Sequence, residues 1–154
     1  MEYNTTARGP NIELKNRLEE ASRAADELLV SQDAAHADEA RLHEILKEYV
    51  RIRFLLTEKD MAESEHFKYL GELSIARGLG VSTDKIRKTE LDSKCAGTSS
   101  TMTKKILLIV ALGKALGIKT DPDRNADITT ISELSREVHA ILDAQGGEVD
   151  GRIS

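Results

Sequence analysis

A local excess of basic residues between positions 84 and 105 is the feature of this sequence best suited to binding another molecule. This stretch contains six basic and three acidic residues, although the whole chain carries a formal net charge of −5. The basic residues are Lys85, Arg87, Lys88, Lys94, Lys104 and Lys105. Such a cluster indicates either an ordinary solvated face or a contact for phosphate or an acidic partner. The sequence leaves both interpretations open.

The same stretch holds a single cysteine and a run of hydroxyl side chains. Cys95 is the only cysteine of the chain, which excludes an internal disulfide and a Cys-rich zinc site. Lys94 beside it could lower the pKa of the thiol, but most single cysteines are incidental. The residues from Thr98 to Thr101 are good N-caps for a helix that begins near Met102.

Other chemistry-bearing motifs are missing from the sequence. The four histidines are scattered, and the P-loop, the dinucleotide-binding motif and the nucleophile elbow are absent. We therefore expect no metal site, no catalytic residues and no self-contained enzyme.

The composition narrows the fold class and the location. Tryptophan is absent and aromatic residues make up 3% of the chain, which disfavours β-sandwiches and barrels. It also removes the aromatic platforms on which single-stranded nucleic acids stack. The longest apolar run, Ile106 to Leu112, is too short to span a bilayer, and the N-terminus lacks a signal pattern. We expect a cytoplasmic, all-α protein without a membrane segment.

Residues 1–60 have the pattern of a helical hairpin preceded by a loose arm. Residues 1–10 are polar and end in Gly9-Pro10, which predicts the arm. Two stripes of apolar residues at helical spacing follow, the first from Ile12 to Leu29 and the second from Leu42 to Leu56. Each stripe needs a cover, so the two helices either fold against each other or pair with another chain as a homodimer.

Residues 61–145 have the pattern of a helical bundle, and 146–154 that of a flexible tail. A helix from Glu63 to about Gly80 is followed by a loop over 87–100 and a strongly apolar helix that Gly117 closes. A short connector then leads to a last helix, which Thr130 or Ser132 caps and which ends at Gly146-Gly147.

This second pattern resembles the acyl carrier protein family, whose small helical bundle bears a phosphopantetheine arm. The likeness covers about residues 63–145 and rests on apolar and turn signals. They are Leu79-Gly80-Val81, Ile86, Ala111-Leu112, Leu116-Gly117-Ile118 and the segment from Asp127 to Leu134 with its Ile-Thr-Thr-Ile. The resemblance implies a 4'-phosphopantetheine cofactor whose thiol holds an acyl or aminoacyl thioester. Its partners would be a phosphopantetheinyl transferase and the enzymes of one pathway.

In that family the arm is attached to the serine of an Asp-Ser-Leu motif at the start of the second helix. Counting forward from Val81, the family's spacing reaches Ser100, with Ser99 in place of the aspartate and as the alternative attachment point. Counting back from Leu116 reaches Met102, which has no hydroxyl, so the chain has an insertion near this helix start. Lys104 and Lys105 stand where the family carries acidic residues, which implies that they contact an acidic docking face of a partner.

Two other functions compete with this interpretation. One is a carrier fold without the arm that serves only as a protein-interaction module. The other is helix-turn-helix DNA binding, because Leu73 to Ser82 with Ile86 resembles the turn and second helix of repressor domains, and Leu108 to Ile118 a later helix. A pI near 5.4 disfavours nucleic acid as a partner. That interpretation also leaves Asp127 to Leu142 without a role.

Overall fold

A computed structural model describes residues 2–93 and 100–153, and the side chains over 12–88 and 100–146. Every regular element in these ranges is helical, which confirms the all-α prediction. The elements are α1 (Glu2–Ser31), α2 (Glu39–Arg53), α3 (Glu58–Glu63), α4 (Phe67–Leu79), α5 (Thr83–Ser93), α6 (Ser100–Leu116), α7 (Pro122–Asp127) and α8 (Ile131–Ile153). A short 3-10 turn, Ala34–His36, separates the first two.

The first two helices pack against each other as the predicted hairpin. Asp33 takes a left-handed conformation (φ 51°) at the reversal, and Asp38 caps α2 by accepting a hydrogen bond from the Arg41 amide at 2.8 Å. Ala25 of α1 and Leu42 of α2 are completely buried. The apolar stripes of the two helices therefore cover each other within one chain.

Both ends of the chain differ from the sequence prediction. Helix α1 begins at Glu2, so residues 2–10 are helical rather than a loose arm. Helix α8 continues through Gly146-Gly147 to Ile153, where a flexible tail was expected. Gly and Pro lower helix propensity at single positions, and the good helix formers on either side, such as Ala7 and Glu148, favour continuation. The positions of glycine and proline alone therefore do not predict where α1 begins and where α8 ends.

One hydrophobic core joins the hairpin to the rest of the chain. Its largest fully buried side chains come from α2, α4, α6 and α8 and include Leu46, Leu70, Ile109 and Leu134, while α1 contributes the smaller Ala25. Residue 60, where the sequence suggested a boundary, lies within α3. The two predicted segments therefore share their packing.

Tyr49 places a hydroxyl group in this core and supports a first prediction. Its side chain is fully buried, and its Oη has no hydrogen-bond partner among the described residues. Burial also raises the pKa of Tyr49 to about 12. Because an unsatisfied buried hydroxyl costs about 1–3 kcal/mol, we expect Tyr49→Phe to leave the free energy of unfolding unchanged or to raise it by up to ~1 kcal/mol. Urea denaturation measures this, with Tyr69→Phe as the control on a partly exposed ring; a loss above ~1 kcal/mol would contradict it.

Candidate functional site

Ser100 is the first residue of α6, and its side chain is exposed. The next residue, Thr101, is 8% exposed and packs on Gly71 of α4, where an added Cβ would lie 3.4 Å from the Thr101 side chain. Gly71 thus allows α4 to approach the first turn of α6 closely. Met102, reached by the backward count, is partly buried. The forward count therefore coincides with an exposed hydroxyl at the start of a long helix.

Residues 94–99 lie outside the described part of the chain. They include Ser99, the alternative attachment point, as well as Lys94, Cys95 and Thr98.

Lys105 is not a surface lysine, and this corrects the expectation that it contacts a partner. Only 5% of the residue is exposed, and its Nζ donates hydrogen bonds to the carbonyl oxygens of Ala126 at 2.9 Å and Ile128 at 2.7 Å. Burial lowers its pKa, while the charges of Asp127 and Glu133 act in the opposite direction. The ammonium binds carbonyl oxygens at the C-terminal end of α7, so its hydrogen bonds are not available to a docking enzyme.

Lys104 is only partly buried and points to a different environment. Its Nζ lies 5.0 Å from the centroid of the Phe54 ring, a cation–π distance. Burial, and to a smaller extent the charge of Arg53, lowers its pKa. Among the described residues no carboxylate lies within ion-pair distance of it. Lys104 is therefore the lysine of this pair that an anion can reach.

The outer face of α6 carries apolar side chains. Leu107 is 61% exposed and Val110 is 38% exposed, and their spacing of three places them on one side of the helix. Lys114 follows on the same side one turn later and is also exposed. This face can contact an apolar surface of another protein.

The connection between α4 and α6 contains a helix where the sequence predicted a loop over 87–100. Gly80 ends α4 in the left-handed conformation (φ 69°), and Ser82 accepts a hydrogen bond from the Lys85 amide at 3.2 Å to start α5. The inner face of α5 is carried by Ile86, which is buried. Among residues 83–88 of α5, whose side chains the structure describes, Ile86 is the only apolar residue, so this part of the helix gives little periodic signal.

Part of the basic cluster is neutralised by ion pairs. Arg87 Nε lies 2.9 Å from the buried carboxylate of Glu72, and Arg87 Nη1 lies 3.3 Å from Asp84. Lys85 and Lys88 are exposed on α5. Among the described members of the cluster, Arg87 is ion-paired, Lys85 and Lys88 are exposed and Lys105 is buried, so they do not form one continuous basic surface.

The starts of α4 and α8 are tied together beside α7. The Phe67 amide donates to Thr129 O at 2.9 Å, and the Ile131 amide donates to Glu65 O at 3.1 Å. Thr130 caps α8, because its Oγ1 accepts from the Glu133 amide at 3.1 Å while Glu133 Oε1 accepts from the Thr130 amide at 3.2 Å. Of the two caps that the sequence allowed, Thr130 is the one used.

Ser132 has a different role, in contacts to other parts of the chain. Its amide donates to Glu65 Oε1 at 2.7 Å, and its Oγ lies 3.2 Å from His43 Nε2. The hydrogen bonds from Ser132, with a smaller contribution from His43, lower the pKa of the Glu65 carboxyl. The contacts of Ser132 join the start of α8 to α2 and to the residues just before α4.

The described residues hold no group of His, Cys, Asp and Glu side chains placed to share a metal ion. No helix in the described part of the chain has the length and apolar character that crossing a bilayer requires. Comparisons with models of protein families, with curated proteins and with solved structures gave no match to this chain.

Proposed function

We propose that this chain is a divergent carrier protein that bears a 4'-phosphopantetheine arm on Ser100 and presents a thioester to partner enzymes. The observation that carries the proposal is the exposed hydroxyl of Ser100 at the first residue of α6. The order of long α4, long α6, short α7 and long α8 agrees with the bundle that the resemblance implies. The arm would supply the thiol, and the helices would present it.

The surroundings of Ser100 suit a phosphodiester. The N-terminus of a 17-residue helix carries the positive end of the helix dipole, which favours a negatively charged group. Lys104 lies one turn further along the helix, a spacing at which side chains are neighbours. Attachment would proceed by attack of the Ser100 oxygen on the phosphorus of coenzyme A that carries the pantetheine. The bond between the two phosphates of the diphosphate then breaks. The hydroxyl proton passes to a base of the transferase, and adenosine 3',5'-bisphosphate leaves.

In this proposal, partner enzymes dock on the exposed side of α6. Lys104 and the apolar pair Leu107 and Val110 would meet a partner surface that is apolar with acidic residues at its edge. Helix α6 itself contains no acidic residue. Such a partner differs in charge from one that recognises an acidic helix.

The experiment is an intact mass measurement after co-expression with a broad-specificity phosphopantetheinyl transferase. We expect a gain of one phosphopantetheine that Ser100→Ala abolishes and the matched control Ser99→Ala retains. A gain that survives Ser100→Ala would overturn the assignment to Ser100. No gain at all would overturn the carrier proposal and leave an interaction module without an arm, docking through Leu107 and Val110.

Helix α5 favours DNA binding as a second candidate. The helices α4 and α5 are joined by three residues that include Gly80, which is the connection of a helix-turn-helix unit. In this role Lys85 and Lys88 of α5 would contact phosphates. A mobility shift at low salt with random-sequence duplex tests it against the double variant Lys85→Ala/Lys88→Ala. Binding that the variant loses would support this candidate, whereas the absence of a shift would remove it.

A further inference from the structure

A pocket of about 270 Å³ lies between α1, α4 and the first turns of α6. Its walls are mainly apolar and are formed by Leu14, Leu18, Leu55, Ile75 and Leu79. Because α1 supplies two of them, the pocket lies partly outside the segment that resembles a carrier. Leu79 is 66% exposed at its rim, so the pocket opens to solvent.

Basic side chains converge on this pocket, and none of the described residues that line it is acidic. Arg17, Arg77 and Lys104 contribute to its lining. Arg77 is paired with the carboxylate of Asp60 behind it, while Lys104 is partly buried and faces the Phe54 ring. The three described lining cations and the Asp60 carboxylate together carry a formal charge of +2. Lys104 has no counter-ion among the described residues, and a partly desolvated ammonium favours an anion beside it.

The backbone of Leu55, which forms part of the pocket wall, is held in a strained conformation. Leu55 has φ 57°, and the left-handed region costs a residue with a branched side chain about 1–2 kcal/mol. Neighbouring bonds hold this turn in place: Ser74 Oγ donates to Phe54 O at 2.7 Å, and the Leu56 amide donates to Arg51 O at 2.9 Å. The turn therefore keeps Leu55 against the pocket in the absence of a ligand.

We propose that this pocket binds a single-chain amphiphile with an anionic head, a medium-chain fatty acid. The carboxylate lies by Lys104, with Arg17 and Arg77 adding positive charge, and the chain lies along Leu14, Leu18 and Ile75. An apolar cavity of about 150 Å³ holds benzene, so by volume this pocket holds a chain of about ten carbon atoms. The proposal goes beyond the carrier function, since the ligand is free and needs no arm on Ser100.

Isothermal titration of the full, unmodified chain with decanoate, below the concentration at which it forms micelles, tests the proposal. We expect saturable binding of one decanoate and at least about tenfold weaker binding of decanol, because a charge-assisted contact to Lys104 is lost. Lys104→Met should weaken decanoate binding by at least about tenfold and leave decanol unchanged. Lys114→Met, an exposed lysine on the same helix outside the pocket, is the matched control and should bind as the parent does.

A second variant tests the location of the site without removing a charge. A Cβ at Gly78 would meet only the Leu14 side chain, at 3.8 Å, so Gly78→Met fits on α4 and fills the pocket. Replacing glycine also raises helix propensity, so the variant should fold. We expect it to weaken both decanoate and decanol. Equal affinity for the two ligands, unchanged binding in Lys104→Met or Gly78→Met, or no binding to the parent chain would each overturn the proposal, and none of them bears on the arm at Ser100.

Discussion

Replacing Lys105 by methionine is expected to lower the free energy of unfolding by about 2–4 kcal/mol, the largest effect of any lysine substitution in α6. Methionine preserves the apolar stem but removes the donor that serves Ala126 O at 2.9 Å and Ile128 O at 2.7 Å. The buried Ile128 carbonyl left without a partner costs about 1–3 kcal/mol, and the part-buried Ala126 carbonyl adds a smaller cost. The desolvation of the ammonium that is relieved offsets part of the sum.

Urea denaturation followed by circular dichroism measures this loss, with Lys104→Met as the matched control from the same helix turn. Lys104 has an aromatic contact but no hydrogen bond among the described residues, so its substitution should cost less than about 1 kcal/mol. Equal losses for the two variants would contradict the structural role of Lys105. So would a loss below ~1 kcal/mol for Lys105→Met.

The contrast between these two lysines shows that a single sequence does not reveal which of two adjacent lysines is buried. Lys104 and Lys105 are adjacent, and a single sequence presents them as one basic pair. A helix turns by about 100° per residue, so neighbours point to different surroundings. Whether position 105 is buried depends on where α7 lies, and that is decided by packing between elements far apart in the chain. No local signal distinguishes the structural lysine from the accessible one.

Strongly periodic segments were predictable for the opposite reason. The apolar stripes of α1 and α2 and the continuous apolar run of α6 determine burial locally, and helices formed over each of them, although α1 starts earlier than its stripe. Helix α5 was missed because Ile86 is the only apolar residue among 83–88, and the contact of Arg87 with Glu72 in α4 joins residues that lie far apart in the sequence. A helix held by a distant partner leaves little periodicity to detect.

The candidate site likewise has one feature that the local sequence predicts and one that depends on residues far apart in the chain. The hydroxyl run predicted a helix start near Met102, within two residues of Ser100, because N-cap chemistry is local. The pocket beside Lys104 could not be foreseen, since it needs residues from α1, α4 and the turn at Leu55 to meet. Its strained Leu55 conformation has no signature in the sequence, where a leucine predicts ordinary helical or extended backbone.

Arg77→Met is expected to destabilise the protein by about 2–3 kcal/mol at neutral pH and to change its response to acid. Asp60 is 6% exposed, caps α3 through the Thr57 amide at 2.8 Å, and forms two bonds with the Arg77 guanidinium. Removing one partner of a buried pair costs about 3–5 kcal/mol, and the partial exposure of Arg77 reduces that value. Methionine keeps the aliphatic packing of the arginine stem, so the loss reports mainly on the charge.

The pH dependence identifies the mechanism. The Arg77 hydrogen bond, with smaller contributions from Thr57, holds the pKa of Asp60 well below its ordinary value of about 3.9. A carboxyl whose pKa is lowered by folding adds stability above that ordinary value and loses it as the pH falls through its folded pKa. The difference between the parent chain and Arg77→Met should therefore be full at pH 6–7 and shrink below about pH 4. In a double-mutant cycle, Asp60→Asn with Arg77→Met should cost clearly less than the sum of the single changes. Additive losses, or a difference between parent and variant that does not change with pH, would show that the pair contributes through packing alone.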